Sequence, residues 1–134
     1  MSCNSMILVA NQASADIPDG GLVPLGTVIR RFGQNCQLSG NGVVCQGAGY
    51  YMVDGAVTII PAAAGTAVLT LLSDGVPVPG GVSSHTVAAA ATTIPLPLVS
   101  AVRNRCCEDA QTLTLQISGV DAELVSSSMR VAKA

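Results

Sequence analysis

Residues 110–119 read AQTLTLQISG, in which Leu113, Leu115 and Ile117 alternate with Thr112, Thr114 and Gln116. A period of two puts the aliphatic side chains on one face of a strand and the hydroxyls and amide on the other. The same beat recurs along the chain. In residues 50–60, YYMVDGAVTII, Tyr51, Val53, Val57 and Ile59 share one face, and Tyr50, Met52, Ala56 and Thr58 share the other. In residues 66–73, TAVLTLLS, both faces are apolar, which predicts a strand covered on both sides. Residues 85–91 (HTVAAAA), 92–99 (TTIPLPLV) and 123–131 (ELVSSSMRV) are further strands. Pro95 and Pro97 put the second of these at a sheet edge or a bend, because proline has no N–H to give a ladder.

Turn signals separate these runs: Asp19-Gly20-Gly21, Asn41-Gly42, Asp74-Gly75 and Pro79-Gly80-Gly81. Asp-Gly and Asn-Gly supply the positive φ that tight hairpins need. No stretch carries ten residues of helical periodicity, and the helix-friendly patch 88–91 is flanked by Thr and Val. The pattern predicts eight to ten short strands in a sandwich, jelly roll or barrel. No linker or repeat divides residues 1–134, which read as one domain, with 1–25 as either an N-terminal arm or a first strand.

Composition sharpens this. Charged residues are 10% of the chain, against roughly 25% in an ordinary soluble domain. Apolar residues are 49%, yet aromatics are only 2%. So few charges cannot cover a lone subunit, so the surface faces either a membrane or copies of itself. The longest uncharged apolar run, 56–72 (AVTIIPAAAGTAVLTLL), approaches the length of a spanning helix. Pro61 and Gly65 interrupt it and β-branched residues fill both halves, so it reads as two strands joined by PAAAG, with no membrane span. The net charge is −2 with six Lys+Arg; no basic stripe interleaved with aromatics points to nucleic acid. The N-terminus has no basic region and only a five-residue apolar stretch, MILVA, so it predicts a protein made in a cytoplasm without a secretory signal.

Three stretches resemble the TNF-like jelly-roll superfamily, which includes the globular heads of complement-type collagenous proteins and of bacterial spore-surface collagen-like glycoproteins. Gly49-Tyr50-Tyr51-Met52-Val53 is similar to the family's Gly-x-Tyr strand start. Residues 69–81, LTLLSDGVPVPGG, are similar to its central strand and following turn, with Asp74 in place of Asn. Residues 113–119 and 124–134, LTLQISG and LVSSSMRVAKA, are similar to its last two strands. The likeness spans 26–133. The scarcity of aromatics departs from the animal heads and looks closer to proteins of bacteria and their phages. The resemblance implies an all-β antiparallel sandwich with jelly-roll topology, a homotrimer with a central apolar axis, and no enzymatic site. Tyr50, Met52, Val68 and Leu72 are the candidate interface residues of that trimer. Burying roughly 1,000 Å² of apolar surface per subunit contributes about 25 kcal/mol gross, before association entropy is subtracted.

The cysteines are the remaining chemistry. If Gly40-Asn41 make the hairpin turn, Cys36 and Cys45 are directly opposite and a cross-strand disulfide fits. If Asn41-Gly42 make it, as turn preference favours, Cys45 faces Leu38 and the pair is diagonal. Cys106-Cys107 are adjacent, too close to bond each other easily, but one of them could reach the Cys36/Cys45 hairpin within or between subunits. Particles released by lysis would oxidise. The spacings match no zinc pattern, and Cys3 lies near the chain end. His85 is the only histidine, and no nucleophile motif surrounds a serine. Asp54, Asp74, Asp109 and Asp121 are dispersed at turn-like positions and supply no clustered calcium ligands. No cofactor is expected. These readings converge on a structural component of a bacteriophage virion: a capsid decoration protein, head fibre or tail-associated appendage, docked onto other virion proteins. A bacterial spore or cell-surface layer protein is the first rival, and a carbohydrate-binding attachment module, short of exposed aromatics, is the second.

Overall fold

The computed structural model describes residues 5–33, 35–88, 93–104 and 110–133. Eleven strands account for most of them: β1 (Met6–Asn11), β2 (Ala15–Ile17), β3 (Thr27–Phe32), β4 (Cys36–Ser39), β5 (Gly42–Cys45), β6 (Gly49–Pro61), β7 (Gly65–Ser73), β8 (Val76–Val87), β9 (Ile94–Asn104), β10 (Gln111–Ser118) and β11 (Ala122–Lys133). They form two antiparallel sheets. One has the order β3-β1-β11-β6-β9, with β2 beside β11; the other has the order β4-β5-β10-β7-β8. The pairs β1·β11, β5·β10, β6·β9 and β7·β8 nest inside one another, early strand against late. That is the wound double hairpin of a jelly roll, an all-β antiparallel sandwich.

The alternation read from the sequence builds the core. Val53, Val57 and Ile59 of β6 and Leu113, Leu115 and Ile117 of β10 point between the sheets, each 0% exposed. Tyr51 joins them, also fully buried, while Tyr50 and Met52 point outward. Residues 62–64 connect β6 to β7, so the 56–72 run is two strands around a turn. Among the described residues no helix is long and apolar enough to cross a membrane.

The strands number eleven where eight to ten are expected, and further details differ from the sequence reading. Strand β7 is covered by the opposite sheet on one face only; it lies between β10 and β8, and neighbouring side chains half-bury its other face. Pro79-Gly80-Gly81 does not end a strand. Thr70 pairs with Val82 and Leu72 with Pro77, so residues 78–81 bulge out within β8. Gly80 takes φ +80°, and a Cβ on Gly81 would lie 2.9 Å from the Leu71 Cβ. The hairpin turn of β4–β5 is Gly40-Asn41, since Ser39 pairs with Gly42. Gly40 has φ +59°, the pattern of a type II′ turn. Asn41-Gly42 loses because Gly42 is needed elsewhere: its Cβ would meet the Thr112 Cγ2 at 2.6 Å, where β5 lies against β10. Asp54 sits mid-strand in β6 rather than at a turn. Asp74-Gly75 is a turn, with φ +51° and +82°, and the 85–91 strand ends at Val87, with 89–92 outside the described residues.

The inward and outward faces of β10 predict opposite mutational costs. Leu115→Ala removes a fully buried side chain and is expected to cost about 2–5 kcal/mol. Thr114→Ala, on the other face, is expected to cost under about 1 kcal/mol. Urea unfolding followed by circular dichroism measures both.

Candidate assembly surface

A sandwich covers one face of each sheet, and the two outer faces here are chemically unlike. On the β4-β5-β10-β7-β8 sheet the outward row positions carry Gln37, Thr112, Thr114, Gln116, Thr70, Ser118, Ser84, Thr66 and Thr86, with Val44, Pro77 and the 54% exposed Val82 among them. The Thr66 and Thr86 hydroxyls are 3.1 Å apart. Val68 stands between Ser118 and Ser84 in this face, and Leu72, next to Thr114, is already 7% exposed in the single subunit.

The other sheet is different. Its register aligns Phe32, Met6, Ala132, Met52 and Ala101 in one row across five strands. Not one of the five is charged. Four interstrand steps make the row about 19 Å wide. The next row reads Arg30, Leu8, Arg130, Asp54 and Val99, and the one below carries Ala10, Ser128, Ala56 and Pro97. Phe32 is 50% exposed, Met52 55% and Val99 76%. Arg130 and Asp54 are an ion pair across β11 and β6, which leaves that spot locally neutral. Above the apolar row, the Arg103 guanidinium lies 5.6 Å from the centroid of the exposed Tyr50 ring.

The four interface candidates therefore divide. Tyr50 and Met52 lie on the apolar outer face; Val68 and Leu72 lie on the hydroxyl-rich face on the far side of the sandwich. The resemblance grouped all four at one interface, but the register between strands shows which outer face each belongs to. Phe32, Met6 and Val99 belong with Tyr50 and Met52 and carried no usable sequence signal of their own. β3, TVIRRF, is exposed at all six residues and so shows no alternation.

Cys36 and Cys45 are register partners at the mouth of the β4–β5 hairpin, both buried, with their Sγ atoms 3.9 Å apart. The hydrogen bond between the thiols holds Cys36 below its ordinary range, helped by the charges of Arg31 and Lys133. The same hydrogen bond, together with burial, pushes Cys45 well up. Cys3, Cys106, Cys107 and Asp109 lie outside the described residues. His85 is exposed on β8, paired with Ala67. Among the described residues no three His, Cys, Asp or Glu side chains are grouped to hold a metal ion. Asp74 and Asp121 serve the backbone: their carboxylates accept the N–H groups of Thr112 and Asp19. A notch of about 530 Å³ lies at the far end of the apolar sheet, lined by Asp16, Ile17, Ile60, Pro61 and Glu123 among others.

No protein-family model matches the sequence, and no curated protein matches it. Solved structures do match the fold. Murine APRIL at pH 5.0 superposes with a TM-score of 0.77 at 12% identity, over 98% of this chain and 99% of that one. The globular domain of zebrafish complement 1qA gives 0.68 at 8% identity over 94% of each chain. The PRD1 vertex protein P5 gives 0.65 at 13% identity over 96% of each. At such identities the likeness is one of fold, and the fold is the TNF-like jelly roll.

The adjacent tyrosines separate packing from surface. The Tyr51 hydroxyl donates to the carbonyls of Gln46 and Gly47, at 2.5 and 2.9 Å. Tyr51→Phe is expected to cost about 1–2 kcal/mol of stability by leaving these carbonyls without that donor; chemical denaturation measures it.

Proposed function

We propose that this protein is a structural subunit that assembles as a homotrimer through the outer face of its β3-β1-β11-β6-β9 sheet. The observation that carries this reading is the five-strand row Phe32–Met6–Ala132–Met52–Ala101, apolar from edge to edge and open to solvent in the single chain. Covering it removes aliphatic and aromatic surface from water, the main driving force of obligate association. A ring of three makes heterologous contacts, in which one patch of a subunit meets a different patch of the next. With the axis running along the strands, each row keeps its height, so the apolar row of one copy meets apolar groups of its neighbours. The Arg130–Asp54 pair enters such an interface already compensated, which avoids the cost of an unpaired buried charge.

We further propose that the trimer belongs to a bacteriophage particle, as a capsid decoration protein, head fibre or tail-associated appendage. Two features support the placement. The chain is low in charge and rich in small aliphatic residues, a composition suited to a permanent assembly. And its fold is similar to that of a viral vertex protein over nearly its whole length.

Light scattering on the purified chain is expected to give about 40 kDa, three times 13.4 kDa. A monomer that persists at high concentration overturns the assembly. Met52→Glu puts a charge in the middle of the apolar row and is expected to yield a folded monomer. Ser84→Glu, on the hydroxyl-rich face, is expected to leave the trimer intact; the reverse result places the interface on the other sheet. For the virion placement, the chain is expected in density-banded phage particles in multiples of three copies. Its recovery only from spore or cell-surface fractions refutes that placement while leaving the trimer standing.

A further inference from the structure

We propose that Cys36 and Cys45 are a disulfide-forming pair that staples the β4–β5 hairpin once the protein leaves a reducing environment. The two residues are opposite each other in an antiparallel ladder, where facing Cβ atoms come within about 4.5–5.5 Å. Their sulfurs are 3.9 Å apart. Bond formation needs each sulfur to move only about 1 Å, within the reach of a χ1 adjustment. Both thiols are nearly fully buried. However, β4 is the outermost strand of its sheet and only four residues long, so the hairpin can open locally and admit a small oxidant.

The site is also a junction. The Cys36 carbonyl accepts from Nε of Arg31 on β3 at 3.0 Å. Just before it, the Asn35 side chain accepts from the Ser5 hydroxyl at 2.6 Å and donates to the Gln46 carbonyl at 2.7 Å. A covalent link there fixes the point where the N-terminal segment, β3 and the second sheet meet. The oxidant is a low-molecular-weight disulfide such as oxidised glutathione. Cys36 attacks as the thiolate, its hydrogen bond from Cys45 and the nearby Arg31 and Lys133 favouring that form. One glutathione thiolate leaves and a mixed disulfide remains. Cys45 then loses its proton and attacks the Cys36 sulfur, expelling the second glutathione. The protein dithiol is oxidised by two electrons and glutathione disulfide is reduced to two thiols.

The test uses the full chain, reduced and then incubated with oxidised glutathione, once as the folded protein and once during refolding from urea so that burial cannot hide the thiols. Free thiols are alkylated and the chain is digested with trypsin without reduction. No Lys or Arg lies between residues 32 and 102, so fragment 32–103 carries Cys36 and Cys45, and fragment 106–130 carries the other pair. The expected result is fragment 32–103 unalkylated and two hydrogens lighter, with Tm raised by about 5–10 °C and restored to its reduced value by reductant. A double variant, Cys36→Ala with Cys45→Val, keeps the hairpin apolar and is expected to show no glutathione-dependent change in Tm. Two alkylated cysteines in fragment 32–103 after both treatments overturn the proposal. So does a covalent link from 32–103 to 106–130.

Discussion

A β-sandwich can hide only one face of each strand, and this constraint governs the rest of the molecule. The inward positions of β6 and β10 are filled by aliphatic side chains: Val53, Val57, Ile59, Leu113, Leu115 and Ile117 are each fully buried. The chain nonetheless carries more aliphatic side chains than the core holds. The surplus is not spread evenly. One outer face is mostly threonine, serine and glutamine, with Val68, Leu72 and the exposed Val82 set singly among them. The other presents Phe32, Met52 and Val99, with the Arg130–Asp54 ion pair among them and Arg30 and Arg103 at its margins. An even scatter of apolar residues is ordinary on any protein surface. The unbroken uncharged row across five strands, rather than exposure as such, is what marks this face as the candidate.

Polar chemistry is concentrated instead at the end of the sandwich where β5 passes into β6. The carbonyls of Gln46 and Gly47 accept from the Tyr51 hydroxyl and from the amides of Asn35 and Asn104. Only two tyrosines are present, and one is used to satisfy this turn from inside the core. The other stands outside under the Arg103 guanidinium. The Gly-rich stretch before the tyrosines is thus explained by hydrogen bonding and close approach. Gly47, at φ +93°, would bring a Cβ within 2.7 Å of the Asn35 amide nitrogen.

What the sequence made legible follows from how local each determinant is. The faces of β6 and β10 could be read directly, because period-two alternation is set by burial against one opposing layer. The strand β3 could not, since nothing covers either face and its six residues carry no pattern. The Pro79-Gly80-Gly81 bulge reads as a turn because its glycines have turn chemistry; only the pairing of Leu72 with Pro77 and Thr70 with Val82 shows the strand continuing. The choice between Gly40-Asn41 and Asn41-Gly42 was decided by Thr112 and Thr114, some seventy residues away. For the same reason Met52 and Val68 looked equivalent. Each is an outward aliphatic residue on a central strand, and only the order of strands in the two sheets separates them.

The sheet edges bear on why the proposed contact uses a face rather than a strand. An open edge with free N–H and C=O groups invites another strand and unlimited growth. The four outermost strands of the two strand orders, β3, β9, β4 and β8, are each blunted. β9 carries Pro95 and Pro97 at alternate positions, so its free side lacks two donors in succession. β8 is broken by its bulge and by Pro77 and Pro79. β4 is four residues long, and β3 exposes Arg30 and Arg31. With strand addition disfavoured at these edges, the apolar row of the sheet face is the surface left for the contact proposed above. Face contacts made by side chains fix an angle between copies, and a fixed angle lets a ring close after a few subunits instead of extending as a fibre. The prolines and arginines that make the edges poor partners thereby favour a closed oligomer of the kind proposed.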